Sequence, residues 1–205
     1  MIKHIYEELK HHAPFTFFGC ITGVVIMFIF QKIPSSVSYN IFYILHPFHV
    51  VLSAIATASM YELHKCSKDK RQCNIWILLV IGYVGSIGIA TLSDSIIPFV
   101  GEILLGLPNR GIHIGFIEAW WLVNPLAVIG VAIAYFRPST KFPHTGHVLL
   151  STWASLFHII LALGQSIEWY VYIAIFVFIF LAVWLPCCLS DIIFPLLFVK
   201  PSSKS

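Results

Sequence analysis

The chain has 205 residues, of which 59% are hydrophobic and 10% charged, with a formal net charge of +3 and a mean hydropathy of +0.89. A soluble domain is about 45–50% apolar and about 25% charged, so this composition excludes a soluble enzyme, a disordered chain and a nucleic-acid binder. Five cysteines, sparse and odd in number, exclude a disulfide scaffold, and a helical membrane protein remains.

A membrane-spanning helix needs about 17–25 mainly apolar residues, and six stretches qualify. The first covers residues 14–30, with Pro14 suited to a first helical turn. The segment before it, Lys3 to His12, is mixed and His-rich and offers no small-residue cleavage site, so no cleavable signal peptide is expected. The second stretch covers 45–61 and the third 75–100, where Gly82, Gly85 and Gly88 form a small face for close helix contact. The fourth covers 114–136, with Asn124-Pro125 as an interruption and hinge. The fifth covers 147–163. The sixth, 169–199, is long for one span, and Pro186 inside it marks a kink or break. Trp120, Trp121 and Trp169 fall near the ends of these stretches, where amphipathic rings meet the interface.

The Lys and Arg residues fall unevenly around six spans. Lys3, Lys10, Lys65, Lys68, Lys70, Arg71, Arg137, Lys141, Lys200 and Lys204 share one side, and only Lys32 and Arg110 lie on the other. The positive-inside rule then places both termini in the cytoplasm of a plasma (inner) membrane. Cys66 and Cys73 belong to a cytoplasmic loop on this reading and are expected to be free thiols.

Two segments recur in order. His46-Pro47-Phe48-His49-Val50-Val51-Leu52-Ser53 matches His144-Thr145-Gly146-His147-Val148-Leu149-Leu150-Ser151 at an offset of 98. Leu92-Ser93-Asp94-Ser95-Ile96-Ile97-Pro98 matches Leu189-Ser190-Asp191-Ile192-Ile193-Phe194-Pro195 at an offset of 97. The expected architecture is therefore an all-α, six-helix membrane bundle. It forms one integral membrane domain over residues 1–205, with repeats at about 14–100 and about 114–199. Three helices per repeat is an odd number, so the second copy enters from the opposite side. The result is a 3+3 inverted-topology repeat, a construction shared by many secondary transporters. The first and fourth stretches match poorly. The Ser-Asp-x-x-x-Pro segments read as interrupted helices whose freed carbonyls favour a cation, or else as helix ends marked by Pro.

Ionisable residues in a span need a partner or a task. On the second stretch His46, His49, Ser53, Thr57, Met60 and His64 step by three and four, one helical stripe. On the fifth, His144, His147, Ser151, Ser155 and His158 do the same. Both stripes are expected to face the bundle interior. By topology His46, His49 and Asp94 lie near the outer face, with Glu102, His113 and Glu118 nearby. His144, His147 and Asp191 lie near the inner face, within reach of His11, His12 and His64. Each set offers two imidazoles at one-turn spacing and a carboxylate, donors suited to zinc, manganese, iron or nickel. Interhelical hydrogen bonding that fixes packing is the plainer use of the same residues.

Three readings fit these residues. The first is a transporter or channel for a cation, a divalent transition metal or one coupled to protons, with the lipid bilayer and the transported cation as partners. The second is an intramembrane metal-dependent hydrolase acting on lipid. The third is a di-haem electron carrier, because His144 and His158 are 14 residues apart, a spacing that suits two b-type haems. Six short helices enclose little interior, which leaves room for a homo-oligomer.

Overall fold

The computed structural model describes residues 2–30, 32–66, 74–163, 168–188 and 194–198. The helices are α1 (Ile2–Phe30), α2 (Ser35–Tyr61), α3 (Ile75–Thr91), α4 (Ile97–Leu104), α5 (Gly115–Glu118), α6 (Trp120–Phe136), α7 (Lys141–Leu163), α8 (Trp169–Cys188) and α9 (Phe194–Leu196). No strand occurs among the described residues. A π turn, Glu62–Cys66, extends α2, and another, Leu92–Ile96, joins α3 to α4. Five continuous stretches are long and apolar enough to cross a membrane: Ala13–Phe30, Ser35–Cys66, Ile75–Leu104, Lys141–Leu163 and Trp169–Cys187. The apolar α6 is shorter at 17 residues, or about 26 Å at 1.5 Å per residue.

Local chemistry sets several of these boundaries. Asn74 caps α3, its side-chain oxygen accepting from the amides of Trp76 (3.0 Å) and Ile77 (3.4 Å). Gly106 ends α4 with a φ of 65°, a conformation that glycine adopts without steric cost. Its amide donates to Ile103 O and the Leu107 amide to Glu102 O, the paired bonds of a Schellman cap. The break in the fourth stretch falls at Ala119, with φ −116° and ψ 44°, and not at Asn124-Pro125. The helix runs unbroken through Pro125. Tyr83 donates to Asn124 Oδ1 (3.2 Å), and Asn124 Nδ2 donates to Phe116 O (3.4 Å). Those bonds tie α6 to α3 and to α5, so the expected hinge is a fastening.

Two helices form the centre. The apolar stretch of α7 is 72% buried and that of α2 61%, against 28% for both α1 and α8. α2 packs against α7, α6 and α3, while α7 also packs against α1 and α8. The outer helices turn large apolar side chains outward, among them Phe18, Phe28 and Ile29 of α1 and Trp169, Ile173 and Val177 of α8. So broad an apolar surface suits lipid better than water.

Close approaches hold the layers together. A Cβ on Gly130 would lie 2.7 Å from Ala54 Cβ and 2.8 Å from the Val51 carbonyl oxygen. One on Gly19 would lie 3.0 Å from Thr152 Oγ1 and 3.4 Å from Leu149 Cδ1. Gly82 and Gly85 are tight against α2 and its neighbours, as the small face predicts, but Gly88 faces open space.

Cys66 corrects an expectation. It is buried and disulfide-bonded, not a free thiol, while Cys73 lies outside the described residues. Disulfides persist in oxidising compartments, so this bond runs against the cytoplasmic placement that the Lys and Arg distribution gives to this end of the second helix.

Candidate functional site

The site begins with a backbone fault. In the π turn the Ile97 amide bonds to Leu92 O, five residues back. The next partner in that ladder would join residue 98 to the carbonyl of Ser93, but Pro98 has no N–H to give. A freed buried carbonyl needs another donor. Ser155, on α7, supplies it: its Oγ stands 2.8 Å from Ser93 O and 2.7 Å from Ser151 O, one hydroxyl hydrogen shared between two acceptors. The Ser-Asp-x-x-x-Pro segment is thus a widened turn inside a continuous helix.

Asp94 sits in that turn and is completely buried. The Nδ1 atoms of His46 and His49 approach its Oδ2 at 2.9 Å and 2.7 Å. Ser93 and Ser151 direct hydroxyls at Oδ1, both at 2.7 Å. A carboxylate only accepts, so both imidazoles carry their hydrogen on Nδ1 when Asp94 is ionised, leaving each Nε2 as a lone-pair donor. Four donors on one carboxylate make its burial tolerable where an unpaired charge would be very costly. Carboxylate-oriented imidazoles of this kind are a common support for metal-binding nitrogen. His46 is covered by α5: a Cβ on Gly115 would run into His46 Nε2.

The two histidine stripes meet. His49 stacks on His147 with ring centroids 5.7 Å apart and planes 11° apart. His147 in turn lies against His144 at 5.3 Å, and its Nδ1 is 3.1 Å from Pro143 O. Sequence reasoning separates these histidines into an outer and an inner group, whereas the fold joins them in one file. Ser53, Thr57, Ser151 and Ser155 are buried, as the stripes predict. His64 is exposed and bonds back to Met60 O (2.8 Å), so it does not join the file. Asp191 and the side chains of His11 and His12 lie outside the described residues.

A second buried carboxylate lies farther along the same helix. His158 Nδ1 is 2.7 Å from Glu102 Oε1, and the Gly111 amide donates to Glu102 Oε2 at 3.2 Å. The His158 ring meets His113 at 5.4 Å. His113 Nδ1 is 3.3 Å from Glu118 Oε2, and Tyr43 donates its hydroxyl hydrogen to the same carboxylate. Partial burial opposes ionisation of Glu118, but donation from Tyr43, His113 and the Ile114 amide outweighs it and holds the carboxyl below its ordinary range. Tyr43 is the member that sequence reasoning misses, although it precedes His46 by three residues on the same stripe.

Among the described residues no three His, Cys, Asp or Glu side chains are set to hold a metal ion together. His46, His49 and Asp94 come together instead as two donors and one acceptor. Of the imidazoles spaced for a haem, His49 and His147 stack on each other, and His158 packs edge-on to Phe42 and against His113. Comparison with known protein families, curated proteins and solved structures returns no match.

Proposed function

We propose that the chain is a membrane transporter for a cation, a divalent transition metal being the favoured cargo, built as six spans in two inverted repeats with α6 as the short fourth span. The observation that carries this reading is the buried Asp94, with two imidazoles from α2 on one oxygen and two hydroxyls on the other. Polar atoms on the same elements lack partners among the described residues: His49 Nε2 and Ser53 Oγ on α2, Thr91 Oγ1 just before the π turn and Ser95 Oγ within it. Each buried polar atom without a partner costs about 1–3 kcal/mol, which favours a polar guest. His49 would offer Nε2 to the ion, with Asp94 orienting it and His46, closed off by Gly115, sharing the carboxylate.

The packing supports the repeat. His147 is 98 positions beyond His49, the offset of the sequence match, and the two rings touch. A residue that contacts its own counterpart lies on the axis relating the halves. Leu149 and Thr152 are likewise 98 positions beyond Val51 and Ala54. Gly19 of α1 approaches the first pair and Gly130 of α6 the second, a like close contact made by each of the poorly matching first and fourth spans. The contacts α1–α7 and α6–α2, α7–α8 and α2–α3, and α1–α8 and α6–α3 are paired in the same way.

The test is uptake of zinc, manganese, iron(II) and nickel into liposomes holding the purified chain. Expected is flux of at least one ion that His46→Ala and His49→Ala abolish. Unchanged flux in both variants, or none in the wild type for all four ions, defeats the reading.

A further inference from the structure

The Glu102–His158 pair is not needed to hold Asp94, yet it is as deeply buried: His158 is 0% and Glu102 1% exposed. With Glu102 ionised, His158 Nδ1 carries the hydrogen and donates to Oε1, so Nε2 holds a lone pair. That Nε2 is buried and has no partner among the described residues. A basic nitrogen with no hydrogen to accept, beside a carboxylate whose other oxygen takes a single backbone amide among the described residues, is a place for a proton. When Nε2 takes one, the pair passes from a neutral ring beside a carboxylate to an imidazolium–carboxylate pair without net charge. That neutral pair is the cheaper form in a low-dielectric interior.

The pair also has a way out and a barrier inward. Outward, His113 contacts the His158 ring, and its partner Glu118 is about one-third exposed. Inward, Phe42 meets His158 edge-on at 5.4 Å and stacks on His46 at 5.3 Å, so a hydrocarbon ring separates this pair from the Asp94 cluster. Among the described residues, the ionisable groups around the pair are His113 and the exposed Arg110 from the loop after α4, Glu118 from α5, Tyr39 and Tyr43 from α2 and, beyond Phe42, His46. α8 presents the apolar Phe178 ring to Gly101.

We propose that Glu102 and His158 form a proton-binding site, separate from the Asp94 site and open to the Glu118 side through His113, which couples proton movement to cation movement. The coupling rests on the transporter reading, whereas the proton site itself does not. Two measurements on the full chain test them. Histidine-labelled nitrogen NMR in detergent, without metal, is expected to show one imidazole whose Nε2 gains a proton as the pH is lowered. Its signal is absent from His158→Gln and displaced in Glu102→Gln. A His158 that keeps one protonation state, or whose titration ignores Glu102→Gln, overturns the proton site whatever the protein transports. In liposomes, Glu102→Gln is expected to keep zinc or manganese exchange within about twofold at zero pH gradient and to lose at least about tenfold of the accumulation driven by a gradient. Retained accumulation, or equal loss of both activities, overturns the coupling. No metal movement in the wild type defeats the transporter reading and the coupling with it, and leaves the NMR result to decide the proton site.

Discussion

Asp94 and Glu102 are two buried carboxylates on one continuous helix, each hydrogen-bonded to histidine Nδ1, and their surroundings differ in kind. Asp94 receives two imidazoles from α2, one hydroxyl from α7 and one from its own turn. It stands beside the contact where the two central helices bring His49 and His147 face to face. Glu102 receives one imidazole and one loop amide, and its neighbours lead to a part-exposed carboxylate. On the proposed reading, a carboxylate that takes donors from α2, α7 and its own turn orients the groups that bind the cation. One with a single imidazole and a path to the surface suits exchange of a proton.

The largest expected effect breaks the comparison directly. Asp94→Asn should lower cation flux by about 100-fold or more, because the amide cannot hold both Nδ1–H donors as a carboxylate does, while Glu102→Gln should spare exchange. Equal defects in flux assays of the two variants would erase the distinction. Next, His147→Ala should cost about 10–100-fold in flux, close to the loss from His49→Ala; a silent His147→Ala removes the functional meaning of the stacked pair. Third, Gly130→Ala should lower stability by about 1–3 kcal/mol through the clash with Val51 O. Gly88→Ala, with open space around it, should be neutral or stabilising by up to about 1 kcal/mol; thermal unfolding in detergent compares them. Smallest is Ser155→Ala, about 1–2 kcal/mol from leaving Ser93 O without a donor. Pro98→Ala restores an N–H and should recover most of that loss, and a double-mutant cycle without coupling would disprove the link.

The central pair of helices was legible from sequence because stripes at steps of three and four depend only on helical geometry. Asp94 was legible as a partner of His46 and His49 through the recurrence of the segment that carries it. The meeting of His49 with His147 was not. It depends on how far α7 is slid along α2, and periodicity carries no information on slide. Glu102 with His158 and Tyr43 with Glu118 escaped for the same reason. Pro98 marks a fault in the ladder that suggests an interrupted helix or a helix end, but Ser155, distant in sequence, takes the freed carbonyl and the helix carries on. Asn124-Pro125 misled because its punctuation is strong, while the true break at Ala119 has no residue signature.

The π turn has one more consequence. It takes in one residue more than an α-helical turn, so the helix beyond it is rotated by about 100° relative to an uninterrupted one. The first half, α3, faces α2 and α6, and the second half, α4, faces α7 and α8. The turn works as a phase shifter, letting one continuous helix present its stripes to two different sets of neighbours. Deleting a single residue from Leu92–Ile96 would put both halves back in phase and swing Glu102 away from His158, with no side chain of the proton site altered.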